Sequence, residues 1–480
     1  MAYVGDLPED VLRVAWEQIP CRAVRWRLLL SSRALWVWSY KYTALQPLVL
    51  EFRTPSALCK VEVPIPVDIK HKISIDWGDG TPRQKSSACG CRDVGPVSAQ
   101  NYLSHTFKWS GRYTVRVYPR GHKKHGCWLT WLGQRKRTCQ WTQYLVAFHS
   151  LGDLGIRSLR GLFQDQKNFN LPLDHLNVCT VRDMAFMFKT ADTFNHPLSN
   201  WDVSAVETMQ SMFVGAVAFN QPLDNWNVGA VVSMSAMFSG CRVFDQPLNA
   251  WNVSNVTDMR SMFDGAAFFD QPLDQWNTAN VTDLSFTFHN ATRFNHPVED
   301  WNVSKVADMQ YMFCEAVSFN QPVEKWDMSH VQNVGSMFRD CTVFNQPLAR
   351  WNLSNAKNMF CMFCGADQFN QPLNDWDVSN VTSMYEMFDG ATHFNQPLDR
   401  WNVRNVKTFH SMFHGATRFN QSLRTWVFTV KTGSDPRPDF SYMFRGAAQF
   451  DIANNLFVLP EHTPVKKLAA HVQIAGEYYM

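Results

Sequence analysis

Tryptophan recurs every twenty-five residues along most of this chain, at Trp201, Trp226, Trp251, Trp276, Trp301, Trp326, Trp351, Trp376, Trp401 and Trp426. One period earlier the same slot holds Leu176. Two phenylalanine ladders keep the same period without a break, one from Phe163 to Phe413 and one from Phe169 to Phe419. Three registers held this long define an array of repeats, and repeats of this length stack into a solenoid. A single unit cannot bury its own large side chains; neighbours must cover them.

Residues 251–275 serve as the reference repeat. Its apolar slots are Trp251, Val253, Val256, Met259, Met262, Phe263, Ala266, Phe269 and Leu273. The spacing from Val256 to Phe263 suits a tight helical turn, and the stretch around the proline suits a short extended segment. Each coil is therefore expected to offer one short strand and one turn-like side. The slot of Ala266 stays small throughout, with Cys241 and Cys341 as its cysteine variants, which favours close stacking. The asparagines of Phe-Asn-Gln-Pro and Trp-Asn-Val are expected to hydrogen-bond turn backbones of adjacent coils. His196 and His296, which replace the glutamine, read as turn residues. Cys361-Met362-Phe363-Cys364 has no second cysteine pair near it and reads as structural, so no metal ligand is assigned.

Because the framework slots are committed to packing, recognition falls to the positions that vary. The two residues before each Trp vary most. The candidate target-binding residues are Asp224, Asn225, Asp274, Gln275, Glu299, Asp300, Glu324, Lys325, Arg350, Asp375 and Arg400, expected to align as a strip that is acidic through its middle. A basic protein partner would complement it; a solvated face is the alternative.

The net charge of +3 hides a split: residues 1–156 carry 22 Lys and Arg against 11 Asp and Glu, residues 157–452 carry 21 against 29. Such asymmetry suggests separate tasks or partners of opposite charge. The first residues show no basic region followed by an apolar core, and no segment reaches eighteen consecutive apolar residues. Neither a signal peptide nor a membrane span is therefore expected. With twelve scattered cysteines, this fits reduced thiols and a cytoplasmic or nuclear setting. No phosphate loop, nucleophile motif or metal pair stands in a convincing context, so neither an enzyme nor a cofactor is expected.

Residues 1–46 carry apolar positions at helical spacings, with Asp6 able to cap and Pro20 breaking the run. Leu7-Pro8-Glu9-Asp10-Val11-Leu12, then Ile19-Pro20, then Val24 to Trp36, resemble an F-box. The resemblance implies docking onto a Skp-type adaptor subunit of a ubiquitin ligase through Leu7, Pro8, Val11, Leu12, Ile19 and Leu28. A helical cap on the next domain is the bland alternative.

Residues 47–156 alternate apolar and polar positions in several short runs, which predicts a small antiparallel β-sandwich. Asp76-Trp77-Gly78-Asp79-Gly80-Thr81, Ser104-His105-Thr106-Phe107 and Ser110-Gly111-Arg112-Tyr113-Thr114-Val115 resemble a PKD-type domain, an immunoglobulin-like sandwich. There Trp77 and His105 would be packing residues. A catalytic His105 with Asp79, or a calcium ion on Asp76 and Asp79, finds too few partners. A basic insertion, 118–143, interleaves Lys123, Lys124, Arg135, Lys136 and Arg137 with tryptophans. Phosphate and base contacts are conceivable there, but a solvated hairpin is the favoured reading.

The repeat wording, Met-Phe-x-Gly-Ala-x-x-Phe-Asn-Gln-Pro-Leu-x-x-Trp-Asn-Val-Ser-Asn-Val-Thr, closely resembles BspA-type leucine-rich-repeat-like proteins. That family is associated with binding and adhesion. The expected fold class is thus multidomain: an all-α module (1–46), a β-sandwich (47–156), a leucine-rich-repeat-like solenoid of 11–12 coils (157–452) and a capping tail (453–480). The expected function is a non-enzymatic adaptor that recruits a ubiquitin ligase and holds a target protein on its solenoid. A surface or adhesion protein without ligase is the alternative.

Overall fold

The computed structural model describes residues 47–66, 73–85, 102–119, 141–152, 155–428 and 438–457. The chain divides into two compact units, residues 1–230 and 231–480. The expected all-α module at 1–46 lies outside the described residues.

In the first unit, strand β1 (Leu48–Thr54) buries Leu48, Leu50 and Phe52 and leaves Arg53 in solvent, the period of a half-buried strand. With β2 (Cys59–Pro66), β3 (Ile73–Asp76), β4 (Gln84–Lys85), β5 (Tyr102–Phe107), β6 (Gly111–Pro119) and β7 (Leu145–Ser150) it makes two sheets. One has the order β4-β3-β6-β1-β7 and the other pairs β2 with β5; every pairing is antiparallel. The turn after β3 needs its first glycine. Gly78 has φ +77°, and a Cβ there would stand 2.6 Å from the Thr114 carbonyl oxygen. Beside it, Trp77 is buried, stacked on His105 with centroids 4.9 Å apart.

The same unit joins this domain to its first coils. Phe148 of β7 meets Phe163 edge-on, and a ring nitrogen of His175 lies 2.7 Å from the Phe148 carbonyl. Thr142, in the 3-10 turn Trp141–Tyr144, donates to Gln166. The sheet thereby covers the first aromatic ring of the array, which has no preceding coil to do so.

The second unit shows how one coil is built. All nine apolar slots of 251–275 are at most 2% exposed. Phe263 and Phe269 stack within the coil at 4.2 Å, and each stacks on its counterpart in the next coil, Phe288 at 5.6 Å and Phe294 at 6.1 Å. Trp276 and Trp301 lie parallel at 6.0 Å. These are offset stacks of the kind aromatic quadrupoles favour.

The backbone corrects the expected fold class. The coils contain no strand and no helix; among the described residues the one α-helix is α1, Ile452–Asn455, and no all-α module occurs. From Met259 to Ala266 the chain is a succession of overlapping four-residue turns, closed by the Met262, Asp264 and Ala266 N–H groups donating to the carbonyls of Met259, Ser261 and Phe263. Ser261 and Gly265 have φ of +56° and +69°. Two left-handed residues in five exclude a regular helix there, and the stretch around Pro272, where the strand was expected, contains no strand. What remains of a leucine-rich-repeat strand is a single parallel bridge per coil, such as Asp258 with Asp283. Around it the N–H groups of Met259, Ser261, Phe263 and Gly265 donate to the next coil at 2.7–3.2 Å. The repeats are present; the strand and the helical turn expected in each are not.

After the Lys431–Pro438 insertion, of which 431–437 lie outside the described residues, the pattern resumes. Phe444 and Phe450 stack on Phe413 and Phe419, and Phe457 lies parallel to Trp426 at 6.4 Å. Asp451 caps α1 by accepting the Asn454 N–H.

Candidate functional site

The framework consumes most of the polar atoms that would otherwise suggest chemistry. Along the ladder, buried indoles donate their N–H to a carbonyl of the preceding coil: Trp301 to Leu273 at 3.0 Å, Trp326 to Val298 at 2.9 Å, Trp351 to Val323 at 2.9 Å. A buried indole needs such a partner. The asparagine of Phe-Asn-Gln-Pro accepts two bonds from the next coil. Asn345 Oδ1 takes the Asn370 N–H at 3.0 Å and the Gln371 Nε2 at 2.9 Å, and Asn320, Asn370 and Asn395 repeat the arrangement. Further round, Asn355, Asn380 and Asn405 donate to serine carbonyls one coil back. The slot of Asp258 holds Asp, Asn, Ser or Thr, since an oxygen there accepts the N–H two residues on, as Asp258 does from Arg260.

The residues before each Trp are outward. Asp224 and Asn225 are exposed in the first unit, where Asn225 donates to the Ser199 carbonyl. In the second, Asp274, Gln275, Asp300, Lys325, Arg350, Asp375 and Arg400 are exposed, and Glu299 and Glu324 half-buried. Their charges are partly spent on one another from coil to coil. Lys325 stands 2.8 Å from Glu299, Arg400 2.7 Å from Asp375 and Arg350 4.0 Å from Glu324. The Glu299 carboxylate raises the Lys325 pKa, and bonds from Gln275 and Asn249 lower that of Asp274. Asp274 and Asp300 have no short basic partner among the described residues, apart from Lys325 at 3.8 Å from Asp300.

A second set of polar and cysteine side chains gathers on the turn face, at the slots of Ser261 and Asp264, some buried and some half-buried. Down the latter run Asp264, His289, Cys314, Arg339, Cys364, Asp389 and His414, one per coil. His289 Nδ1 lies 2.7 Å from Asp264 Oδ1, and this bond raises the histidine pKa against the opposing effect of burial. His414 Nδ1 lies 2.7 Å from Asp389 Oδ1. Cys314 is buried, and loss of solvent pushes its thiol up to about 12. Two groups bring ligand atoms within 4.8 Å of one another: His289, Cys314 and Glu315; and Cys364, Glu386 and Asp389. Reading along the chain missed this column. The signal that finds it is the same slot followed every twenty-five residues.

In the β domain, His105 Nε2 lies 2.7 Å from Asp79 Oδ2, but Asp79 also accepts the Thr81 N–H and hydroxyl. Burial opposes its ionisation, yet the bonds from Thr81 and His105 hold its carboxyl below the ordinary value. Asp76 accepts the Gly78 N–H and faces Arg83 at 3.7 Å. Both carboxylates are engaged in the turn. The proposed ligase contacts Leu7, Pro8, Val11, Leu12, Ile19 and Leu28, and the basic residues Lys123, Lys124, Arg135, Lys136 and Arg137, lie outside the described residues. Among the described residues no helix is long and apolar enough to cross a membrane.

No curated protein and no solved structure matches the chain. One family model does, over residues 154–251, 233–351, 267–373 and 336–457, which together cover well over half of the sequence. The match supports the repeat reading and does not extend to residues 1–153, so the F-box-like and PKD-like resemblances gain nothing from it. The overlapping matches advance along the array of aromatic coils described above: the chain belongs to the family described as Mycoplasma protein of unknown function, DUF285.

Proposed function

We propose that the chain is a non-enzymatic protein-binding repeat protein, whose partner is read by the exposed pair of residues before each Trp. What supports the reading is the division of labour within a coil. Buried slots repeat one wording and, Ser336 apart, their polar atoms are satisfied within the framework, whereas Asp224, Asp274, Asp300, Asp375 and their neighbours are outward and differ from coil to coil. The Asp274 carboxylate, which has no ion-pair partner among the described residues, favours a basic protein surface, which would add steering as well as affinity. A surface or adhesion role would use the same residues.

The test compares the full chain with the triple variant Asp274→Lys, Asp300→Lys, Asp375→Lys. Proteins captured by each are cross-linked and the cross-links mapped. The reading expects a partner whose cross-links fall beside these positions and which the variant releases without a change in its own melting. Cross-links confined to other faces, with binding untouched by the triple variant, would refute it.

A further inference from the structure

Cys361 and Cys364 stand at the two ends of one turn, closed by the Cys364 N–H donating to the Cys361 carbonyl at 3.1 Å. One period on, the same slots hold Glu386 and Asp389, closed in the same way at 3.2 Å. The coil-to-coil ladder lays the second turn along the first: the Cys361 N–H donates to Tyr385 at 2.7 Å and the Gly365 N–H to Asp389 at 2.7 Å. The left-handed backbone at Cys361 and Glu386, φ +49° and +52°, belongs to the same repeated turn. Cys361 Sγ lies 3.5 Å from Glu386 Oε2, and the ligand atoms of Cys364, Glu386 and Asp389 fall within 4.8 Å of one another. Two thiols and two carboxylates thus form the corners of one small patch.

We propose that Cys361, Cys364, Glu386 and Asp389 bind a divalent transition metal ion of the zinc class. Ligands around a tetrahedral zinc ion, at about 2.3 Å for sulfur and 2.0–2.2 Å for oxygen, are ~3.3–3.8 Å apart. The Cys361–Glu386 separation already meets that, and the ligand atoms of Cys364, Glu386 and Asp389, within 4.8 Å of one another, would have to draw in by about 1 Å. The donor set selects the ion. Thiolates favour zinc and its soft neighbours, whereas calcium and magnesium take oxygen ligands alone. His414, on Asp389, supplies the outer hydrogen bond that orients a ligating carboxylate. Binding exchanges the two thiol protons for the ion, so affinity rises with pH. No other adjacent coils of the second unit place four such donors at these slots; the neighbours carry Ser336 with Arg339 and Ser411 with His414.

The experiment is a cobalt titration of the full, reduced, chelator-treated chain, followed by thiolate-to-cobalt charge-transfer absorption. The wild type is expected to develop the band, Zn²⁺ to abolish it by displacement, and excess Ca²⁺ or Mg²⁺ to leave it. Cys361→Ser/Cys364→Ser should lose the contribution of this site while melting normally without metal, since serine occupies the first slot in other coils and Ser239 the second. Glu386→Gln/Asp389→Asn should weaken binding at least tenfold. The proposal falls if the wild type shows no band, if the cysteine pair can be removed without change, if the carboxylate variant binds as tightly, or if Ca²⁺ or Mg²⁺ competes. Loss of the whole band on Cys314→Ser would place the ion at His289, Cys314 and Glu315 instead and also overturn it.

Discussion

Trp301 offers the sharpest test of the packing argument. Its side chain is 3% exposed, parallel to Trp276 at 6.0 Å, tilted against Phe288 at 5.9 Å, and its N–H is bonded to the Leu273 carbonyl at 3.0 Å. Two contributions can be separated by two substitutions. Trp301→Ala removes ring and N–H together; a core truncation of this size costs about 3–5 kcal/mol. Trp301→Phe keeps most of the ring and removes the N–H, leaving the Leu273 carbonyl short of a partner, which costs about 1–3 kcal/mol. With a urea dependence of about 2–3 kcal/mol per molar, the alanine variant should unfold roughly 1–2 M earlier and the phenylalanine variant about half as far. Far-ultraviolet circular dichroism across a urea series reads both shifts without relying on tryptophan emission. An alanine variant with an unchanged midpoint would mean that the indole is not core. Equal shifts for both variants would mean that the ring stacks contribute nothing beyond the N–H bond, and the account of why a coil needs its neighbours would fail.

Three further outcomes follow from single atoms. Ser336 is buried and its Oγ has no hydrogen-bond partner, so Ser336→Ala should raise stability by about 1 kcal/mol in thermal unfolding; Ala236 shows that the slot accepts the residue. Asn345→Ala removes the acceptor of the Asn370 N–H, while the Gln371 amide keeps its bond to the Asn345 carbonyl, and should cost about 1 kcal/mol, read as an earlier denaturation midpoint and faster hydrogen exchange at Asn370. Burial and the neighbouring Asp283 raise the carboxyl pKa of Asp258 and Asp308. A carboxyl that holds its proton more tightly when folded contributes stability that is present below its unfolded pKa and lost as pH rises through the folded one. Asp283→Asn keeps the bond to the Ser285 N–H, as Asn333 keeps its own to Gly335. It should therefore stabilise at pH 7 by a few tenths of a kcal/mol and flatten the dependence above pH 4, measured by melting at several pH values.

The interior was legible in the sequence because its period is rigid: the nine slots read from 251–275 are the nine that are buried. The backbone between them was not. An apolar spacing of three, three and one fits a helical turn and a chain of four-residue turns equally well. The deciding signal was Gly265 and its counterparts Asn290 and Asp340, residues that tolerate positive φ, but Phe286, Tyr311 and Glu386 occupy left-handed positions too and blurred it. The turn-face donors were hidden for a related reason. Cys361 and Cys364 look solitary when read along the chain. Their complement is neither cysteine nor nearby in sequence; it is Glu386 and Asp389, one period on. The strip before each Trp was found because variation flagged it, yet sequence gave no sign that Lys325, Arg350 and Arg400 would turn to carboxylates of the preceding coil.

The three-fold agreement of Trp, Phe and Asn ladders also makes the coils of the array interchangeable. A cut that removes twenty-five residues between equivalent slots rejoins tryptophan to tryptophan and carbonyl to indole, so the shortened chain meets the same interior it lost. A cut of twenty-four moves every later side chain one position round the coil and has no such refuge. Insertion and loss of whole coils are therefore the mildest large changes this architecture can undergo, and array length can drift while the interior stays the same. The outward slots have no such protection. Excising residues 365–389 would leave the stack of rings whole and take Glu386 and Asp389 away from Cys361 and Cys364. In such a molecule, function can be lost by a change that stability does not register.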